Sequence, residues 1–324
     1  MSAGFIQERA ARWTELDDLV TLAEDLGLHR LAIPEAQRLV ALYRAASGDL
    51  MMARSGAATA AVTDHLNDLL SRAYVVVYRG PRVRPRQVGE FILRGFPRLF
   101  RQQAGVIALA AVVFGAGGAF GALGVMVDPA GVAYLVDEQH RNLDPAERAR
   151  REEGDGVAAG GDQARFSAFL FTHNIRVSFL AFALGATFGV GTLLVLFLNG
   201  VMLGSLAVVY HRAGEGLFFW AWILPHGIPE LTSVFIAGGA GLLLGRAMVA
   251  APAGARLAAL RGTGRPAVRL VLGLMPILVV AGIIEGTISQ VHEPTLPYPA
   301  KLVFALLVGA ALFGWLLRAG RRAR

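Results

Sequence analysis

The sequence predicts an all-α polytopic membrane protein. We expect a transmembrane helical bundle of about six spans, one or more of them broken or re-entrant, with an N-terminal cytoplasmic helical domain. Three observations carry this reading. The 324 residues are 55% hydrophobic and 17% charged, with a positive mean hydropathy, which is too apolar for a soluble domain of this size. Residues 104–127 form an uncharged run of 24, where about 20 suffice to cross the hydrocarbon. Further apolar runs follow at 166–210, 217–245, 268–290 and 300–317, separated by acidic or arginine-rich loops.

Other totals narrow the function. There is no cysteine, so disulfides and cysteine-based metal or redox chemistry are excluded. The formal charge is +7 and Lys301 is the only lysine. In a membrane protein such a basic excess reads as cytoplasmic-face anchoring, with no nucleic acid as partner. The N-terminus, MSAGFIQERAARW, is charged and has no apolar core of a signal peptide.

Residues 1–78 read as a cytoplasmic helical domain. Phe5, Ile6, Trp13, Leu16, Val20, Ala23 and Leu26 recur at three- and four-residue steps before Gly27, a helix stop. A second helix starts at Pro34, which suits a first helical turn, and carries Leu39, Leu42, Tyr43 and Ala46 up to Ser47-Gly48. A third, broken at Gly56, carries Val62, Leu66, Leu69, Ala73 and Tyr74.

Residues 79–103 form a basic amphipathic elbow. Arginines at 79, 82, 84, 86, 94, 98 and 101 face a single acid, Glu90, and alternate at helical spacing with Val88, Phe91, Ile92, Phe96, Leu99 and Phe100. A helix of this kind lies in the membrane interface and is drawn to anionic lipid, so Arg82, Arg84, Arg86, Arg94, Arg98 and Arg101 are candidate lipid contacts.

The transmembrane domain is placed at 104–318, followed by a basic tail at 319–324. Its loop 128–165 carries nine acids against five arginines, in contrast to the elbow. The positive-inside rule puts this loop outside and residues 1–103 inside. The next arginine-rich loop (246, 256, 261, 265, 269) belongs inside, so an odd number of crossings separates the two. Three fit: about 172–188, a tight turn near Gly189–Gly191, 192–210, and 217–245. Residues 268–290 then go outward and 300–317 return, with both termini cytoplasmic. A single crossing in 166–246, with re-entrant helices, would give four spans with the same termini. GxxxG spacing at Gly117/Gly121, Gly185/Gly189, Gly200/Gly204, Gly241/Gly245 and Gly282/Gly286 suits close helix packing, with one such face a candidate for homo-oligomer contact.

The chain is organised around residues 217–246, LFFWAWILPHGIPELTSVFIAGGAGLLLGR. Pro225 and Pro229 predict an interrupted helix, a backbone break whose freed groups need partners. Beside them stand His226, Gly227 and Glu230. With Glu285 and Asn174 at similar depth, and Asn199 nearer mid-span, they form a candidate intramembrane polar site, since ionisable groups in hydrocarbon mark functional sites or buried pairs. Three readings stay open: a structural network, a transport or channel site, and a metal-dependent hydrolase. The last is weak, because HGIPE lacks the second histidine of HExxH. No Ser/His/Asp set, P-loop or dinucleotide motif stands out, and no cofactor, metal or catalytic residue is expected.

The segment ILPHGIPELTSVFIAGGAGLLLG resembles the signature of the stage II sporulation protein M family, and HNIRVSFLAFALGATFGVGTLLVLFLNGVMLGSL resembles its other marked segment. AGIIEGTIS and the FPRLFR elbow also fit. One departure is His173-Asn174, where the family has paired asparagines. The resemblance implies a prokaryotic cytoplasmic-membrane protein without established catalysis. It directs attention to His226, Gly227, Glu230, Asn199, Gly200 and Glu285, whose chemistry the family does not establish. The named member anchors peptidoglycan-degrading enzymes. Members are also often encoded near MoxR-type ATPases, von Willebrand factor A proteins and RDD-domain proteins, which implies a place in an envelope complex. The function expected is therefore a non-enzymatic scaffold for envelope or membrane partners. A transporter or channel is the alternative.

Overall fold

The computed structural model describes all residues except 1, 58, 79–84, 137–143, 155–161, 292 and 322–324. The chain divides into two compact units, Met1–Arg84 and Pro85–Arg324.

The first unit is three helices, α1 (Ser2–Leu26), α2 (Ile33–Met52) and α3 (Ala60–Tyr78). Trp13, Leu16, Val20 and Ala23 of α1 meet Leu39, Leu42 and Ala46 of α2 and Leu66, Leu69 and Ala73 of α3 in one core. α1 ends before Gly27, whose φ of 86° lies where a side chain would be strained. The stop expected at Ser47-Gly48 does not occur: α2 runs on to Met52. The reason is Asp49, buried on the same face as Leu42 and Ala46, which accepts from Trp13 Nε1 at 2.9 Å and Arg9 Nε at 3.1 Å. Ser47 Oγ turns back to the Tyr43 carbonyl and leaves the ladder intact.

The second unit starts with α4 (Pro85–Glu90), a π turn (Phe91–Gly95) and α5 (Phe96–Gln102), the basic elbow. α6 (Ala104–Val127) leads to α7 (Val132–Leu135) and α8 (Pro145–Gly154) in the acidic loop. Then come α9 (Asp162–Ala183), α10 (Val190–Arg212), α11 (Gly216–Ala250), α12 (Arg256–Gly286) and α13 (Tyr298–Arg318). Among the described residues five helices are long and apolar enough to cross a membrane, those beginning at residues 104, 190, 216, 253 and 298. The segment expected to supply a further crossing is α9, whose apolar part, Asn174–Ala186, is shorter. α9 and α10 meet at a turn where Phe188 and Gly189 both have positive φ.

α11 is the axis of this unit and packs against α6, α9, α10, α12 and α13. Glycine brings backbones together at two places, between α6 and α10 and where the turn joining α9 to α10 meets α11. A Cβ on Gly117 or Gly121 of α6 would run into the backbone of Phe197 or Val201 of α10, and one on Gly200 or Gly204 of α10 would run into Phe114 or Gly118 of α6. A Cβ on Gly185 would run into the backbone of Gly241 of α11, and one on Gly245 of α11 into the turn at Phe188 and Gly189. Where lipid offers no hydrophobic drive between helices, such backbone approach gains dispersion contact. At the elbow end Phe96, Phe100, Ile107, Leu270, Leu274 and Leu316 form a core, with Phe96 seated against Gly273. At the loop end Val136, Ala149, Tyr210, Phe218, Phe219 and Tyr298 form another.

Candidate functional site

Near the loop end of the bundle, ionisable and amide side chains gather in a largely apolar interior. α11 supplies His226 and Glu230, four residues apart and therefore on one helical face. α9 supplies Asn174, the last turn of α12 supplies Glu285, the short 3₁₀ turn Ile288–Gln290 supplies Ser289, and the first turn of α13 supplies Lys301.

Two chains of contact result. In the first, Asn174 Nδ2 donates to Glu230 Oε2 at 2.6 Å. Glu230 is 4% exposed and Glu285 1%. Among the described residues the second oxygen of Glu230 and both oxygens of Glu285 are buried without a hydrogen-bond partner. In the second chain, His226 Nδ1 lies 2.8 Å from Ser289 Oγ, and Lys301 Nζ donates to the Ser289 carbonyl at 3.0 Å. Lys301 is fully buried. Towards the loop, the Trp222 ring lies 6.3 Å from that of His226, and the guanidinium of Arg148, from α8, sits 4.2 Å from the centre of Trp222. Arg148 also donates to Tyr210 Oη at 3.5 Å.

The backbone break expected at Pro225 and Pro229 is absent: α11 is helical from Gly216 to Ala250 through both. Each proline removes one amide donor, which leaves the carbonyl one turn back without its helical bond. Packing on five neighbouring helices holds the helix together. Thr232 Oγ1 and Ser233 Oγ bond back to the carbonyls of Ile228 and Pro229. Gly227 is buried beside His226, and a Cβ there would stand 3.0 Å from Ile223 Cγ2.

Asn199 stands apart. Its Nδ2 donates to the Val195 carbonyl of its own helix at 2.8 Å, which satisfies the amide locally. The elbow arginines also divide. Arg82 and Arg84 fall outside the described residues. Arg86 pairs with Glu90, while Arg98 and Arg101 reach carbonyls of the C-terminal segment. Arg94 is exposed.

Sequence reasoning missed Ser289, Lys301, Trp222 and Arg148. For Lys301 a signal existed: one lysine in a chain whose other basic residues are all arginine. A compact ammonium on a flexible stem fits an enclosed carbonyl where a planar guanidinium needs more room and more acceptors. Ser289, Trp222 and Arg148 carried no such mark. Among the described residues no three histidine, aspartate or glutamate side chains gather in metal-ligand geometry. The side chains of His173 and His292 lie outside that description.

The arrangement brings two carboxyl groups, an amide, an imidazole and an ammonium together inside helices of membrane-spanning character. Such groups can hold the helices in register or pass a proton or cation between them. Residues 3–79 match a family model described as a domain of unknown function (DUF8413). No curated protein and no solved structure matches the chain. The family model of stage II sporulation protein M matches residues 110–290, which contain α9, α10, α11 and α12 and every residue of the polar cluster except Lys301; the chain therefore belongs to the stage II sporulation protein M family.

Proposed function

We propose that the protein is a non-enzymatic scaffold of the prokaryotic cytoplasmic membrane that gathers partner proteins of a cell-envelope complex. The observation that carries this reading is the division of the chain. The 84-residue N-terminal unit closes its own three-helix core, and we assign its charged exterior to other proteins. The polar cluster then serves as an internal network that fixes α9, α11, α12 and α13 in register. The asymmetry of charge supports an orientation with the elbow and both termini in the cytoplasm and residues 128–165 outside. Affinity purification in mild detergent, with the full chain and with residues 2–78 deleted, tests the scaffold. Partners recovered with the full chain and lost on deletion are expected, and repeated recovery of none from either would sink it.

One observation favours a second reading, transport of a proton or cation. Buried carboxyl oxygens without partners, as in Glu230 and Glu285, are costly unless they serve a purpose. Vesicles containing the purified protein would then show a flux that Glu285→Gln or Glu230→Gln abolishes.

A further inference from the structure

The elbow and the C-terminal turn bring arginines together, and among the described residues no acid pairs with them. Arg98 Nη2 donates to the Gly320 carbonyl at 3.1 Å, and Arg101 Nη1 to the Leu316 carbonyl at 2.6 Å. The backbones themselves approach, since a Cβ on Gly320 would run into the Arg94 carbonyl. Arg321 follows directly. Partial burial, then the charge of Arg321, then that of Arg98 hold the Arg101 guanidinium below its ordinary value. None of the ion pairs among the described residues includes Arg98, Arg101 or Arg321, and the one acid in the elbow, Glu90, is paired with Arg86.

A guanidinium offers five N–H donors in a planar fork. One bond each to a carbonyl leaves Arg98 and Arg101 with donors to spare, and Arg321 is exposed. Like charges held together by backbone repel unless an anion lies between them. The place also matters. It is where α6 begins and α13 ends, at the boundary of two spanning helices, and Leu93 and Leu317 beside it are exposed apolar side chains. A soluble anion would have no use for those side chains, but a lipid would.

We propose that Arg98, Arg101 and Arg321 form a binding site for the phosphodiester headgroup of an anionic phospholipid, with acyl chains against Leu93 and Leu317. Carbonyl bonds position two of the three guanidiniums, and the lipid phosphate supplies the missing negative charge. The site ties the elbow to the end of α13 and does not depend on the scaffold reading.

Native mass spectrometry of the full chain in detergent tests this, with phosphatidylglycerol and phosphatidylcholine of identical acyl chains. Phosphatidylglycerol is expected to bind more tightly. Each arginine near an anionic headgroup contributes about fivefold in affinity, so Arg321→Gln should weaken it about fivefold. Arg98→Gln with Arg321→Gln should weaken it about 25-fold on the same basis. Arg12→Gln, an exposed arginine of the N-terminal unit, should leave it unchanged. Because Arg101 also braces α13, the Arg321 variant is the deciding one; that side chain makes no hydrogen bond or ion pair to protein among the described residues. Equal binding of the two lipids, or full phosphatidylglycerol affinity in both the Arg321→Gln and double variants, overturns the proposal. Displacement of phosphatidylglycerol by millimolar inorganic phosphate would overturn the lipid assignment in favour of a free-phosphate site, whereas retention supports it.

Discussion

Asn174 gives an amide hydrogen to Glu230 across 2.6 Å, and through that bond α9 is fastened to α11. It is a side-chain hydrogen bond between two helices within the bundle interior, and it engages only one of the two carboxyl oxygens, the other being buried without a partner among the described residues. Removing the donor therefore leaves Glu230 wholly unsatisfied. Asn174→Leu should destabilise the membrane unit by about 1–3 kcal/mol, read as a lower temperature of loss in a fluorescence-detected size-exclusion melt. If the bond is the reason, Asn174→Leu combined with Glu230→Leu should cost less than the two single changes added together. Strict additivity would show that the contact contributes nothing.

Lys301 and Ser289 make a comparable prediction on the other side of the cluster. The ammonium satisfies the Ser289 carbonyl, and the Ser289 hydroxyl holds His226 Nδ1, so one residue turns a loop into a strut between α11 and α13. Lys301→Met keeps the stem and deletes the donor. We expect a loss of about 1–3 kcal/mol from the unsatisfied carbonyl, with faster amide exchange in peptides covering residues 287–300. Lys301→Arg should not restore the parent stability, because the larger planar group must find acceptors in a fully buried place. Full rescue by arginine would contradict this account.

The contact between α6 and α10 predicts a steric effect of a different size. Backbone meets backbone at Gly200 and Gly204, so no side chain can rotate out of the way. Gly200→Val should separate the helices and cost about 1–3 kcal/mol or more, as overpacking of a close-packed interior does. Gly118→Ala is the milder neighbour, since its Cβ would stand 3.6 Å from the Gly200 carbonyl, an ordinary contact. The ratio of monodisperse to aggregated protein after extraction should drop sharply for Gly200→Val and hardly at all for Gly118→Ala.

How much of this was legible beforehand differs by feature. The all-helical membrane class follows from uncharged runs such as 104–127, because hydrocarbon demands internally satisfied backbone and leaves few alternatives. His226, Glu230 and Glu285 could be singled out one at a time because each stands in apolar sequence, whereas Ser289 and Lys301 could not. Their partners could not, because hydrogen bonds across helices depend on rotation and depth that spacing does not encode. Asn199 illustrates the difference: its amide turns to the Val195 carbonyl of its own helix, an outlet open to an asparagine in any helix. The continuity of α11 through Pro225 and Pro229 was hidden for a related reason, since the packing that holds it comes from five other helices. In the N-terminal unit Ser47-Gly48 looked like a stop because the demand of Trp13 on Asp49 comes from a helix 36 residues away in sequence.

That demand allows a prediction for the N-terminal unit. Asp49 holds both Trp13 Nε1 and Arg9 Nε inside the three-helix core. Asp49→Ala removes the carboxylate that the indole N–H and the guanidinium share, at a cost of about 2–3 kcal/mol. Hydrogen exchange of the full chain should show faster exchange throughout 2–26 and 33–52, with peptides from α11 unchanged. Exchange confined to the peptide containing residue 49 would mean that the bond is local and does not couple the helices.

The same unit should respond to acid through Glu15 and Arg38. Arg38 donates twice to Glu15, Nε to one oxygen and Nη2 to the other, both at 2.6 Å, linking α2 to α1. These hydrogen bonds, with the guanidinium charge, hold the Glu15 carboxyl below its ordinary 4.5. A group whose folded value is depressed binds its proton more readily in the unfolded chain. Its contribution is therefore present above 4.5 and lost as pH falls through the lower folded value. The pair is exposed, so the effect is small. Protection of α1 and α2 measured between neutral pH and about 3 should decline at the acid end in the parent protein, and the decline should be shallower in Glu15→Gln. Because many carboxylates titrate in that range, the difference between the two curves is the quantity that counts. If the curves superimpose, the bidentate contact carries no pH-dependent stability and Arg38 is held in place by packing alone.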